Sequence, residues 1–311
     1  MNFSVSTLPR TPAHCDLLPI KHIYGMMAVN ILSAMIGTIG NLLVVATVPT
    51  TFSLQAISNY WLVSLAIADL SVTALGQPLF TVWMGILVGG QCNEIVSQAF
   101  RLIANMSCSA SVLHLCFISV DCCLMIFWPH HKFTRTKKRF TIALVIAWTL
   151  PIIYGVLRLT VSKKATSYFT VIGVGLCYLA IILCYTFIIL KIKKQASGHM
   201  LERRVTVTIA IVVVIFTVCW FPLLYLRSAF AEENFGVAYN WARTLALSNS
   251  SMNPWIYCFR IAEFREAYRR LLRCQWKPAC RGGTGGQHEM NMTHFSELEI
   301  SQLGPTNPNA V

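Results

Sequence analysis

Seven long apolar runs, separated by short turns rich in polar residues, proline and glycine, fill most of this 311-residue chain and leave few folds open to it. A bilayer hydrocarbon core about 30 Å thick takes roughly 20 residues of α-helix to cross, so the runs read as membrane-spanning helices. Their spans are residues 22–48, 57–84, 95–127, 139–160, 168–192, 203–230 and 236–259. Within hydrocarbon every backbone N–H and C=O must find its partner inside the segment, which helices do and open loops do not. The expected fold is therefore an all-α membrane protein, a seven-transmembrane helix bundle with a short amphipathic eighth helix and no second domain. Residues 1–21 form an extracellular segment, 22–259 the seven-helix domain, 260–273 the amphipathic helix and 274–311 a disordered cytoplasmic tail. Composition agrees: 55% hydrophobic and 12% charged is more apolar surface than one soluble core can hide.

A formal charge of +13 would suit a nucleic-acid binder, but its distribution speaks of topology instead. Lys132, Arg135, Lys137, Lys138 and Arg139 follow the third run, and Lys191, Lys193, Lys194, Arg203 and Arg204 bracket the fifth and sixth. A further basic group follows the seventh, so these loops are cytoplasmic, the N-terminus is extracellular and nucleic acid is not a partner. The chain is expected in the plasma membrane as a multi-pass protein, with its first helix as uncleaved insertion signal. Asn2-Phe3-Ser4 is a glycosylation acceptor on the outer side; the sequons at Asn105, Asn249 and Asn291 fall in helices or the tail and should stay unmodified.

Polar groups retained inside apolar spans are costly, so each is a candidate for function. Asn41, Asp69, Ser111, Trp220, Asn249, Ser250 and Asn253 stand out. They occur within Gly40-Asn41 on the first run, Leu65-Ala66-Ile67-Ala68-Asp69 on the second, Cys219-Trp220-Phe221-Pro222 on the sixth and Asn253-Pro254-Trp255-Ile256-Tyr257 on the seventh, beside Trp148 and Tyr185. In this order the motifs resemble class A (rhodopsin-like) G-protein-coupled receptors along nearly the whole chain. The resemblance implies a receptor that converts binding of an extracellular ligand into signalling through a heterotrimeric G protein. It also implies that Asp69, Ser111, Asn249, Ser250 and Asn253 line a pocket for an allosteric Na⁺, with no other cofactor; the alternative is a neutral carboxyl hydrogen-bonded to its neighbours. Pro222 and Pro254 each lack an N–H and free a carbonyl, which makes hinges beside Trp220 and Tyr257. The resemblance assigns Trp220 to the ligand-pocket floor, and Tyr185 with Tyr257 to the cytoplasmic switch. Phe264 to Leu272 alternates apolar and basic residues as a helix lying on the inner leaflet would, closed by Cys274, a palmitoylation candidate beside Cys280.

Several departures qualify that resemblance. Where the family carries Asp-Arg-Tyr, this chain reads Asp121-Cys122-Cys123, so Glu202 on the sixth run lacks its usual arginine partner. That leaves open a receptor-like protein that binds ligand or heteromerises without coupling directly. The loop over Val161–Ser167 holds no cysteine for the customary bridge to the third helix; Cys15 and Cys92 are the outward pair, either bridged to each other or free. Cys177 replaces a proline usual in the fifth helix, which removes the cause of a bulge there. The short cysteine-free loop with the missing proline is similar to melanocortin receptors, whereas Thr51-Phe52-Ser53-Leu54-Gln55 through Asn59-Tyr60-Trp61-Leu62-Val63-Ser64 is similar to adenosine receptors.

Ala104 stands where amine receptors use aspartate, Leu247 where opsins use lysine and Arg227 where adenosine receptors use asparagine. The outer third instead carries Arg101, Arg158, Arg227 and Arg243, set against Glu94, Glu232 and Glu233. Converging guanidiniums suit a carboxylate or phosphate, so the extracellular small-molecule or peptide ligand reads as anionic; pairing with the glutamates or snorkelling to headgroups is the other reading. No nucleophile-and-base arrangement, zinc-spaced cluster or phosphate loop points to an enzyme.

Overall fold

The computed structural model describes residues 18–51, 54–55, 57–127, 137–161, 163–194, 200–229, 236–260 and 262–273. Each apolar run is helical. The elements are α1 (Ile20–Thr50), α2 (Ile57–Leu70), a π-helical segment (Ser71–Gly76), α3 (Gln77–Val88), α4 (Glu94–Phe127), α5 (Lys137–Thr160), α6 (Lys163–Lys194), α7 (Met200–Ala229), α8 (Val237–Arg260) and the short α9 (Ala262–Leu272). No strand occurs among the described residues.

α2, the π segment and α3 form one continuous rod, Asn59–Val88, which is the second of the seven spans and runs four residues past the expected end. Among the described residues, five of the seven rods are long and apolar enough to cross a bilayer by composition alone. In α7 the apolar stretch among the described residues is Val214–Ser228, and in the sequence the residues from Val205 to Pro222 are all uncharged. α8 falls short because it carries many polar residues, yet Asn240, Thr244, Ser248, Asn249, Ser250, Ser251 and Asn253 are all buried against the bundle rather than turned to lipid.

The π segment was not anticipated. Pro78 cannot donate to the carbonyl four residues back, and the N–H of Gln77 reaches Val72 O, five residues back, so one extra residue is accommodated immediately after Asp69. α6, by contrast, runs as unbroken α-helix through Cys177, in line with the missing proline. It also starts at Lys163 rather than 168, so most of the loop expected over Val161–Ser167 is helix. Side chains explain the early start: Arg158 donates to Thr166 Oγ1 at 3.1 Å, and Tyr154 hydrogen-bonds Thr170, so the first turn of α6 is tied to the last turns of α5.

α4 packs against the second rod, α5 and α6, while α1 packs against α8 and the second rod. Glycines set the α1 contacts. A Cβ on Gly37 would meet Thr73 Cγ2 at 2.5 Å and Ser251 Cβ at 2.8 Å, and one on Gly40 would meet Pro254 Cβ at 2.9 Å. Small residues at such crossings let helix backbones approach closely where lipid provides no hydrophobic drive. On the outside, Phe169, Ile172, Leu176, Leu179, Leu183, Phe187 and Leu190 form an exposed stripe down α6, and Leu32, Met35, Ile39 and Leu42 one down α1. Such stripes belong against acyl chains. At the other end, Phe264, Ala267 and Tyr268 of α9 are buried against Val44, Val48 and Leu62, so α9 is docked rather than splayed.

Candidate functional site

Two polar centres lie on the bundle axis. The outer one is a cavity of about 60 Å³ bounded by α4, α5, α6, α7 and α8. Arg101 and Ala104 line it from α4, Tyr154 and Arg158 from α5, and Thr170 and Val174 from α6. Trp220 and Arg227 come from α7, and Arg243 and Leu247 from α8. The six residues singled out for a pocket thus share one cavity, with Arg158 beside them.

The arginines are not equivalent. Arg101 sits at the rim, 29% exposed, paired to Glu94 at 3.2 Å. Arg227 is only 7% exposed, and its Nε donates to Tyr239 OH at 3.2 Å. Arg243 donates to Asn240 Oδ1 at 3.2 Å and lies 4.6 Å from the Tyr239 ring, 5.5 Å from Phe100 and 5.8 Å from Trp83. Aromatic faces hold a guanidinium well without neutralising it. Among the described residues no carboxylate pairs with Arg158, Arg227 or Arg243; Glu232 and Glu233 lie outside the described residues. Sequence reading missed the tyrosines that orient this cluster. Their signal was present: Tyr154 precedes Arg158, and Tyr239 precedes Arg243, by four residues, one helical turn.

The inner centre is organised around Asp69, fully buried at the last turn of α2. Ser111 Oγ donates to Oδ1 at 2.7 Å, Asn253 Nδ2 donates to Oδ2 at 2.8 Å, and Ser250 also hydrogen-bonds the carboxylate. Asn249 is buried on the same helix, and Asn41 donates to Ser250 O at 3.1 Å. Ser107 Oγ, one turn from Ser111, is buried without a partner. Beside this centre, Trp148 Nε1 donates to Ser64 Oγ at 3.0 Å, and Ser64 lies 2.7 Å from His114 Nε2. His114 Nδ1 faces Ala110 O at 2.7 Å; since a carbonyl only accepts, Nδ1 carries the proton. His114 is thus a packed, fully bonded residue, its ring 5.4 Å from that of Trp148.

At the end of the bundle away from the cavity, Asp121 is helical near the end of α4 and Cys122 packs against the central core. Tyr185 OH lies 3.0 Å from Ser119 Oγ, while Tyr257 packs on Phe264 at 5.9 Å between ring centres, so no direct bond joins the two tyrosines. Pro222 and Pro254 sit inside continuous helices. Glu202 belongs to α7, with its side chain outside the described residues. Cys92 is disulfide-bonded, whereas eight other described cysteines form no disulfide. Asn2, Cys15 and Cys274 lie outside the described residues.

Seven helical rods, apolar on their outside and enclosing a cavity above a buried carboxylate, define a membrane receptor. The chain matches the family described as 7 transmembrane receptor (rhodopsin family) over residues 40–168 and 160–257, and it belongs to that family. It is similar to the histamine H2 receptor of Canis lupus familiaris, 27% identical over 276 residues covering 76% of each chain. It is likewise similar to the alpha-1A adrenergic receptor of Oryzias latipes, 26% identical over 86% of this chain and 68% of the relative. Melanocortin receptor 4 of Danio rerio is 25% identical over 88% of this chain and 93% of the relative. The chain is therefore a multi-pass membrane G-protein-coupled receptor, not an enzyme, with a G protein and an extracellular ligand as partners.

Proposed function

We propose that this receptor stands in the plasma membrane with its N-terminus outside, binds an anionic extracellular ligand in the arginine-lined cavity, and couples directly to a heterotrimeric G protein despite Asp121-Cys122-Cys123. The observation that carries the ligand class is the set of guanidiniums of Arg158, Arg227 and Arg243 around one cavity, Arg227 buried and the other two half-buried, with no carboxylate among the described residues to answer them. Burying one unpaired charge is expensive, and three like charges more so; an incoming carboxylate or phosphate supplies what the fold omits. Ala104, in place of an acid, fits the same sign of ligand.

The Asp69 centre fits a small hard cation. A carboxylate, the hydroxyls of Ser111 and Ser250 and the amide oxygens of Asn249 and Asn253 are oxygen donors, and Ser107 Oγ has no partner. Sodium there would bias the bundle toward one conformation. Cys92 is assigned to a bridge with Cys15, which ties the N-terminal segment to the head of α4.

The test is a panel of carboxylates and phosphates on cells carrying a G-protein dissociation reporter. Acids should activate, and Arg227→Gln or Arg243→Gln should shift potency at least 30-fold, the lower end for removing one partner of a buried charge contact. Equal activity of the neutral methyl esters would sink the anionic reading. Direct coupling is tested by basal output at matched surface expression: the wild type should exceed empty membranes in at least one G-protein class. Silence that Cys122→Arg rescues would mean that direct coupling has been lost.

A further inference from the structure

The cavity lacks more than counter-charge. Trp220 lines it too, and its Nε1–H is a buried donor without a partner, on a side chain only 6% exposed. Arg227 and Trp220 are seven residues apart on α7, about 10 Å along the helix axis at a rise of 1.5 Å per residue. Between those levels Ala104, Val174, Leu223 and Leu247 give the wall most of its surface, and of the polar residues beside them Asn105 and Thr170 are already hydrogen-bonded within the protein. The site therefore offers donors at both ends and a largely apolar stretch between.

We infer that the ligand is a compact amphipathic acid, its anionic head held by Arg158, Arg227 and Arg243, its middle apolar, and its far end a neutral hydrogen-bond acceptor that takes the Nε1–H of Trp220. This deepens the anionic reading above and rests on it. The distal acceptor is neutral for an electrostatic reason. Cys108 lines the cavity, and Ser111, one turn deeper on α4, already holds the Asp69 carboxylate. A second acid group at the floor would come up against that charge in a low-dielectric interior. A keto, ester or ether oxygen accepts the indole N–H without the repulsion, and an unmet buried donor makes discrimination strong, because an analogue lacking the acceptor leaves the N–H unpaired.

The experiment uses the full chain in lipid nanodiscs and straight-chain monocarboxylates of increasing length, each compared with its oxo-acid of the same length, with affinities from calorimetric titration. At the best length the oxo-acid should bind about five- to tenfold tighter than the plain acid, the worth of one buried hydrogen bond. Trp220→Phe, which removes the N–H and keeps an aromatic ring, should bring that ratio close to one. A wild-type measurement guards against misfolding of the variant: with ¹⁵N-labelled tryptophan, the Trp220 Nε1–H resonance should move on adding the oxo-acid and stay in place with the plain acid. Acids that bind in an Arg227-dependent way with no preference for the oxo form, or with the same preference in Trp220→Phe, overturn this inference and leave the anionic reading standing. Absence of binding by every acid overturns both.

Discussion

The two polar centres on the bundle axis are built on opposite principles. Around Asp69 the chain supplies its own complement: both carboxylate oxygens receive donors from α4 and α8, and Asn41 of α1 closes on the backbone of α8 next to them. Around Arg158, Arg227 and Arg243 it does the reverse, crowding cations against aromatic rings and hydroxyls and leaving their charge unanswered. A self-sufficient centre holds helices in register; an unbalanced one has its complement arrive from outside. The inner site should therefore contribute stability to the unliganded receptor, and the outer site should cost it.

Stability measurements on unliganded receptor can break that contrast. Asp69→Leu strands the donors of Ser111, Asn253 and Ser250 and should destabilise by about 3 kcal/mol, read by thermal unfolding in detergent micelles. Gly37→Val, which drives a side chain into Thr73 and Ser251 along the seam holding the inner centre, should cost about 2 kcal/mol in the same assay. Arg227→Met has the opposite sign: removing the buried one of three clustered like charges should raise unliganded stability by about 1 kcal/mol. If it destabilises as strongly as Asp69→Leu, the cavity is self-balanced and the contrast is gone. The smallest effect sharpens the inner site. Replacing choline chloride with sodium chloride should raise the unfolding temperature of the wild type by a few degrees, worth less than about 1 kcal/mol, and leave Asp69→Asn unmoved.

Much of this arrangement was legible in the sequence, for reasons that differ by residue. The rods were legible because hydrocarbon imposes a length and an apolarity that few other structures share. Asp69, Ser111, Asn249, Ser250 and Asn253 stood out because polar groups in apolar runs are rare. Arg101, Arg227 and Arg243 were readable as depth, since they lie in the outer third of their spans, whereas Ala104, Trp220 and Leu247 were singled out by the resemblance to class A receptors; all six line one cavity. What depth cannot give is rotation about a helix axis. Hence Arg101 was grouped with the other arginines, although it turns to Glu94 at the rim, and Tyr154 and Tyr239 went unnoticed although they orient the cluster. The early start of α6 was hidden because Lys163 to Ser167 reads as loop by polarity, while its helicity rests on contacts made by Arg158 and Tyr154 on another helix.

The π-helical turn after Asp69 carries a consequence for how this receptor tolerates change in length. It stores one residue more than a regular helix would use, so deleting a single residue there, such as Ala74, can be absorbed by reversion to plain α-helix. Orientation survives such a deletion, because a π turn uses about one residue more than an α turn to complete the same rotation; Phe80 stays inside the bundle and Arg243 keeps the Trp83 ring on which it rests. A deletion in regular helix elsewhere in the rod would instead rotate everything beyond it by about 100° about the axis, the angle of one helical residue. The turn after Asp69 is thus the place in the second rod where chain length can change while Asp69 and the wall of the cavity above it keep their aim.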